Sequence, residues 1–122
     1  MQISLEKADK NAIQAYSESE IKVNNTTYTS SLIVSQDTII ANWPVQNIHD
    51  LNEALLTPLI KLKPEIIIFG HHSSHYHAPV MVLQQLAKQR VGFEFMTMGA
   101  ACRTYNVLLS EQRHVVLGLI LP

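Results

Sequence analysis

The first half of the chain carries short runs of β-branched and aromatic residues, which predict strands. Residues 20–23 form one such run. Asn24 and Asn25 end it, because asparagine tolerates the left-handed backbone of a tight turn. Residues 27–35 and 38–43 form two further runs. The pattern predicts an antiparallel hairpin or meander in this half of the chain.

The second half changes to a spacing that is typical of helices. Asp50 and Glu53 have the spacing of a capping box, which predicts that a first helix begins here. Pro58 is expected to kink or split that helix. The apolar face of the helix is formed by four leucines, namely Leu51, Leu55, Leu59 and Leu62.

Strands and helices then alternate to the end of the chain. Residues 65–70 are a continuous apolar run, typical of a strand buried on both faces. Pro79 suits the first position of a second helix. The remaining pattern predicts a strand at 92–96, a helix from 100 to about 112 and a strand at 114–121.

This order of elements indicates the fold class. We expect residues 1–122 to form a single α/β or α+β domain. It would have three layers, with about three helices covering a mixed β-sheet and the β-hairpin or meander at its N-terminal end. The strand order stays open.

Composition narrows the functional classes. Apolar residues make up 47% of the chain and charged residues 16%, so we expect an apolar patch covered by a protein partner or a second copy. Nine Lys and Arg residues against ten Asp and Glu are scattered along the sequence, which argues against nucleic-acid binding. One cysteine, no targeting segment and no membrane-spanning apolar run make the cytoplasm the expected location.

Two polar segments each follow a predicted strand and precede a predicted helix. They are residues 70–77, which contain four histidines, and residues 96–106. Ligands in open α/β sheets collect beyond the carboxyl ends of strands, where helix N-termini present free N–H groups. If the two strands are neighbours, the segments face one crevice. The candidate ligand-binding residues there are Gly70, His71, His72, Gly99, Arg103 and Thr104.

Cys102 is a weak candidate for catalysis. In the first turn of the third helix and beside Arg103, its thiol would have a lowered pKa and could pair with a histidine as a nucleophile. Inert packing under the helix is the preferred interpretation, because free cysteine is among the most buried residue types. Arg103 could instead hold an anion or form an ion pair with Glu94 or Glu111, and both alternatives stay open.

The histidine cluster suggests a metal site, because neutral imidazole binds zinc, copper or nickel. The spacing matches no closed site, and the run contains neither cysteine nor carboxylate. Solvated loop histidines are therefore the preferred interpretation, and no cofactor is expected. The weak candidate ligands are His71, His72, His75 and His77.

The sequence of residues 100–106, Ala-Ala-Cys-Arg-Thr-Tyr-Asn, resembles a widespread family of small proteins of undefined activity. Its eukaryotic relatives include mitochondrial respiratory complex I assembly factor 3 and an adipogenesis-associated protein. The resemblance covers nearly the whole chain and implies a three-layer domain with no established cofactor. We therefore expect a non-catalytic binding or assembly-accessory protein. The alternative is a small-molecule or anion-binding protein, or a minor enzyme, that uses the crevice.

Overall fold

The computed structural model describes residues 10–73 and 77–122. Its strands are β1 (Ile13–Tyr16), β2 (Ile21–Val23), β3 (Thr26–Tyr28), β4 (Leu32–Ser35), β5 (Ile39–Ile40), β6 (Ile66–His71), β7 (Gly92–Thr97) and β8 (Val115–Leu119). Its helices are α1 (Glu53–Ile60), α2 (Val80–Lys88) and α3 (Met98–Ser110), and a short 3-10 helix (Ile48–Asp50) precedes α1.

The strands form two sheets. β1, β2 and β3 make a small antiparallel meander. Its β2–β3 turn has positive φ at both Asn24 and Asn25, as predicted. The larger sheet has the order β5-β4-β8-β6-β7, in which β6 is parallel to both β7 and β8 while β4 is antiparallel to β5 and β8. The expected mixed sheet and N-terminal meander are thus confirmed.

The large sheet lies between two apolar layers. α1 and α2 cover one face, where Leu56 and Val82 pack in a cluster with Ile67 and Phe69 of β6. α3 and the small sheet cover the other face, where Tyr105 joins a cluster with other side chains, among them Ile13, Ile68 and Leu117. This is the expected three-layer arrangement. Within the two described ranges, no helix has the length and apolar character needed to cross a bilayer.

Two predicted strands are shorter than expected. The run at 27–35 divides between the two sheets, because β3 ends at Tyr28 and β4 begins at Leu32. The run at 38–43 forms only Ile39–Ile40. At Asn42 the backbone adopts a φ of 58°, and Trp43 is buried beyond it. The Trp43 indole N–H then donates to the Leu55 carbonyl at 3.0 Å.

The start of α1 also differs from the prediction. Asn52 caps the helix, because its Oδ1 accepts a hydrogen bond from the Leu55 N–H at 2.9 Å. Asp50 lies in the 3-10 helix instead. Pro58 does not divide α1, which continues to Ile60. Ala54 is exposed, so water can bond the carbonyl that loses its helical partner at the proline.

Candidate functional site

The two polar segments identified in the sequence begin at the same edge of the large sheet. β6 and β7 are parallel neighbours, with Gly70 opposite Met96 and His71 opposite Thr97. β6 leads towards α2, and β7 runs directly into α3. The condition that the sequence analysis left open is therefore met, and the two strand ends converge.

The His71 side chain nevertheless points to the opposite face of the sheet from the one that α3 covers. Ile68 packs in the α3 layer and Phe69 in the α1–α2 layer. Because successive residues of a strand alternate, Gly70 faces α3 and His71 faces α2. A Cβ atom on Gly70 would lie 2.8 Å from the Ala101 Cβ of α3. The structure therefore does not bring His71 and the α3 residues into one crevice, and that part of the prediction is wrong.

Arg103 contacts the small sheet. Its Nη1 donates a hydrogen bond to the Tyr16 hydroxyl at 2.6 Å. Gly99 makes room for this contact, since a Cβ atom there would lie 3.0 Å from Nη1 and 3.1 Å from Cε1 of Tyr16. Among the described residues Arg103 has no ion pair, so the alternative of a pair with Glu94 or Glu111 is not what the structure shows. The guanidinium stays exposed at the surface.

Cys102 lies in the second turn of α3, because the helix begins at Met98 rather than at residue 100. Its side chain is 1% exposed and joins the core cluster under the helix. Burial raises the pKa of the thiol to about 12, and the opposing charge of Arg103 is the smaller effect. The lowered pKa considered from the sequence is thus wrong, and the geometry agrees with the preferred interpretation of inert packing. Thr104 is half-buried on the same helix.

His71 borders a hollow of about 320 Å³ on the α2 side of the sheet. Its Nδ1 atom is buried, and no described group forms a hydrogen bond with that atom. Burial, followed by the neighbouring His72, lowers the pKa of His71, and the Ser73 backbone opposes this change only in part. Burial therefore favours the neutral form of the imidazole. The hollow is otherwise mainly apolar, with Ile48, Leu83 and Phe95 among its lining residues.

The two other described histidines of the cluster, His72 and His77, do not complete a metal site with His71. His77 lines the same hollow, and both His72 and His77 are exposed. His75 lies outside the described residues. In ranges 10–73 and 77–122 no group of three or more His, Cys, Asp or Glu side chains is placed to hold a metal ion.

Sequence reasoning missed the structural importance of Asn106. The Asn106 carboxamide makes two hydrogen bonds of 2.9 Å with the backbone of Ile13 in β1. Beside it, the buried Tyr105 hydroxyl donates to the Asn11 carbonyl at 2.7 Å, and burial raises the pKa of this phenol. Asparagine in the middle of a helix was the available signal, since its side chain competes with helical hydrogen bonds unless it bonds elsewhere.

A second surface was also missed. A groove of about 870 Å³ runs between the start of α1 and α2. Met81 lines it and is 79% exposed, and the adjacent Val80 is 66% exposed. Glu53 and Lys88 place opposite charges along the same groove. The α2 helix therefore presents apolar side chains to solvent as well as to the core.

Comparisons with known proteins agree with this fold. A 13 kDa major membrane protein of Francisella tularensis subsp. holarctica (strain LVS) is 29% identical over 89 residues, which cover 72% of each chain. NADH dehydrogenase [ubiquinone] 1 alpha subcomplex assembly factor 3 of Danio rerio is 29% identical over 114 residues. That match covers 90% of this chain and 64% of the fish protein, so about a third of the relative has no counterpart in the match.

A solved structure shows the same architecture. A Xanthomonas campestris protein determined by NMR superposes with a TM-score of 0.82 at 34% sequence identity, over 90% of this chain and 83% of that one. The family described as protein of unknown function (DUF498/DUF598) matches residues 13–120, which is nearly the whole described fold. The chain therefore belongs to the DUF498/DUF598 family.

Proposed function

We propose that this chain is a non-catalytic binding protein that assists the assembly of a respiratory complex. The observation that carries the proposal is the exposed apolar pair Val80 and Met81 beside the α1–α2 groove. Relatives named as NADH dehydrogenase assembly factors support a role in the assembly of a respiratory complex. The burial of Cys102 supports a binding rather than a catalytic role, because a buried thiol with a raised pKa is a poor nucleophile.

The groove suits an apolar segment of a protein partner. Methionine is flexible and polarisable, so Met81 can adapt to a partner surface. Glu53 and Lys88 supply charges of both signs at the rim, which would fix the orientation of the segment. A well-packed apolar anchor with a polar rim is the usual anatomy of a protein interface.

The test is affinity purification of the native protein from its host, with Met81→Glu as the disrupting variant. We expect subunits of the respiratory NADH dehydrogenase to co-purify with the native chain and to be lost with Met81→Glu. Val107→Glu is the matched control, since Val107 is 55% exposed on α3, away from the groove. Equal recovery with all three chains, or recovery of none of these subunits, would contradict the proposal.

The second copy of the chain is the competing occupant of the groove. Light scattering of the native chain and Met81→Glu distinguishes the two cases. A monomer in both supports a different protein as the partner. A dimer that dissociates in Met81→Glu would instead assign the groove to self-association, and the partner proposal would fail.

The proposal also includes a cytoplasmic location, close to the membrane that carries the complex. The Francisella relative is named a membrane protein, while the described part of this chain contains no spanning helix. Fractionation of host cells into cytosol, washed membranes and outer membranes tests the location. We expect the chain in the cytosol and in the fraction that salt washes from the inner membrane.

The hollow at His71 supports a second candidate function, the binding of a small and mainly apolar molecule with one polar group. The specific observation is the buried, unpartnered Nδ1 atom, since native proteins satisfy most buried polar atoms. Benzyl alcohol and benzoate are suitable probes. NMR titration should shift resonances of His71 and Leu83 in the native chain and leave those of Leu83 unchanged in His71→Phe. Absence of shifts in the native chain would reject this function.

A further inference from the structure

All three helices of the described chain end at one edge of the large sheet. β6, β7 and β8 are parallel, so their amino-terminal ends meet there. Glu65 joins them, because its N–H donates to the His114 carbonyl at 2.8 Å and its carbonyl accepts from the Gly92 N–H at 3.1 Å. The three helix-to-strand turns therefore form one continuous surface.

This edge concentrates positive charge. Five of the nine Lys and Arg residues in the chain are exposed on these turns or on the helix residue that precedes one of them, and the carboxylates of the same turns are Glu65 and Glu111. The chain as a whole has a net charge of −1. The charges that are scattered along the sequence are thus gathered in space. We call this surface the basic edge, and its cations are Lys61, Lys63, Lys88, Arg90 and Arg113.

Most of these cations are not neutralised within the molecule. Arg113 pairs with Glu65, with 3.1 Å between Nε and Oε1. Among the described residues the four other cations have no carboxylate within ion-pair distance. The carbonyl ends of the three helices carry only about half a negative charge each, so part of the charge of these cations is available to an external anion.

The three helix-ending turns of the basic edge share one backbone feature. Lys63 and Arg90 adopt left-handed backbone, with φ values of 54° and 58°, just beyond the ends of α1 and α2. Gln112 does the same after α3, with a φ of 63°. Glycine is the favoured residue at such positions because it has no Cβ atom to strain. The chain instead keeps long cationic side chains at two of the three.

We propose that the basic edge docks the protein electrostatically on a bilayer surface rich in anionic phospholipids. Flexible, unpaired Lys and Arg head groups gain from the summed negative potential of such a surface without needing a shaped pocket. The edge cations have no aromatic side chain among them on which nucleic-acid bases could stack. This inference does not rest on the proposed protein partner, which would bind at the α1–α2 groove. Lys88 is the one cation that borders both surfaces, and the variants below leave it in place.

Vesicle co-sedimentation tests the proposal at low salt. One set of vesicles is pure phosphatidylcholine, and the other contains about one third phosphatidylglycerol, which supplies the negative potential. We expect binding of the native chain to the anionic vesicles alone, and release at high salt because exposed charges are then screened. The variant Lys63→Gly/Arg90→Gly should lower the partition coefficient about 25-fold, at about five-fold per cation.

The glycine variant separates charge from folding. Glycine relieves the backbone at both positions, so the melting temperature should not fall while vesicle binding is lost. Gln112→Gly is the matched control, since it makes the same backbone change without altering charge and should bind like the native chain. Lys22→Gln removes a cation on β2, outside the basic edge, and should leave most of the binding intact.

Several results would overturn the assignment. Equal binding to both vesicle types, or unchanged binding of the double variant, would show that the basic edge is not a lipid surface. A loss with Lys22→Gln as large as that with the double variant would show that net charge alone matters. Stronger retention on polyglutamate or duplex DNA than on anionic vesicles would assign the edge to an acidic protein or a nucleic acid instead.

Discussion

The carboxamide of Asn106 and the backbone of Ile13 form hydrogen bonds in both directions. Asn106 Oδ1 accepts from the Ile13 N–H and Nδ2 donates to the Ile13 carbonyl, each at 2.9 Å. The Asn106 side chain thus bonds the backbone of Ile13 as a neighbouring strand would, and these bonds hold β1 against α3. The motif at residues 100–106 therefore has a structural purpose, because Tyr105 and Arg103 also bond to the N-terminal segment.

Asn106→Ala should lower the free energy of unfolding by about 2 kcal/mol, because it leaves two partly buried backbone groups without partners. Urea denaturation measures this change. Hydrogen exchange should also accelerate at the Ile13 amide. Ser110→Ala is the control on the same helix, since the Ser110 hydroxyl bonds only to the exposed Val107 carbonyl. If Asn106→Ala lowers the free energy of unfolding no more than Ser110→Ala does, the bonds of Asn106 to Ile13 do not stabilise the fold.

Gly70 is required by close packing between β6 and α3 rather than by ligand binding. A Cβ atom there would lie 2.8 Å from both the Ala101 Cβ and the Leu119 Cδ2. Gly70→Ala should therefore cost about 1–3 kcal/mol of stability, as overpacking does in other cores. In a double-mutant cycle with Ala101→Gly, the two changes should be less than additive, because the second removes one of the clashing atoms.

Gly92→Ala provides the control for that experiment. Gly92 is also a sheet glycine, but its nearest neighbour to a new Cβ atom is the Glu65 carbonyl oxygen at 3.5 Å, an ordinary contact. We expect a change within about 0.5 kcal/mol. If both alanine variants lose the same stability, the cause is general to sheet glycines and the packing argument for Gly70 fails.

The parts of the fold that depend on neighbouring residues could be predicted from the sequence. The Asn24-Asn25 turn, the buried strand β6 and the order of strands and helices in the second half follow from backbone preference and hydrophobic period. The sequence also predicted Asp50 as the cap of α1, whereas the structure has Asn52 in that role. The boundary of α1 depends on where the preceding 3-10 helix ends, which the local pattern does not show.

The candidate site could be predicted only in part. The sequence identified the two strand ends as polar segments but left open whether β6 and β7 are neighbours, which only the parallel pairing shows. It could not tell that His71 and Arg103 occupy opposite faces, since one residue of strand register reverses every side chain. The gathering of cations at the basic edge was equally hidden, because it depends on three turns that are far apart along the chain.

Because of Cys102, the free energy of unfolding should fall as the pH rises in the alkaline range. Burial raises the pKa of its thiol from 9.0 to about 12 in the folded protein, so the unfolded chain ionises first. The stabilisation is therefore complete below about pH 9 and is lost between pH 9 and about 12. Cys102→Ala should show a shallower decline of the unfolding free energy over this range, measured with urea.

Thiol labelling gives an independent check on Cys102. The native thiol is 1% exposed, so it should react with a disulfide reagent only as fast as the protein opens. Addition of urea should raise the labelling rate to that of a free cysteine. Rapid labelling of the folded protein at neutral pH would show that the thiol is accessible, and the inert role would have to be abandoned.

Because of His71, the free energy of unfolding should fall as the pH is lowered in the acidic range. Burial, followed by His72, lowers the pKa of this imidazole below 6.5 in the folded protein, whereas the unfolded chain takes up its proton at the ordinary value. The stabilisation is thus present above pH 6.5 and is lost as the pH falls through the folded pKa. His71→Gln should flatten this acidic decline in urea denaturation, and His114→Gln, at the opposite edge of the sheet, is the matched control. If His71→Gln keeps the native slope, another group causes the decline, and burial does not lower the pKa of His71.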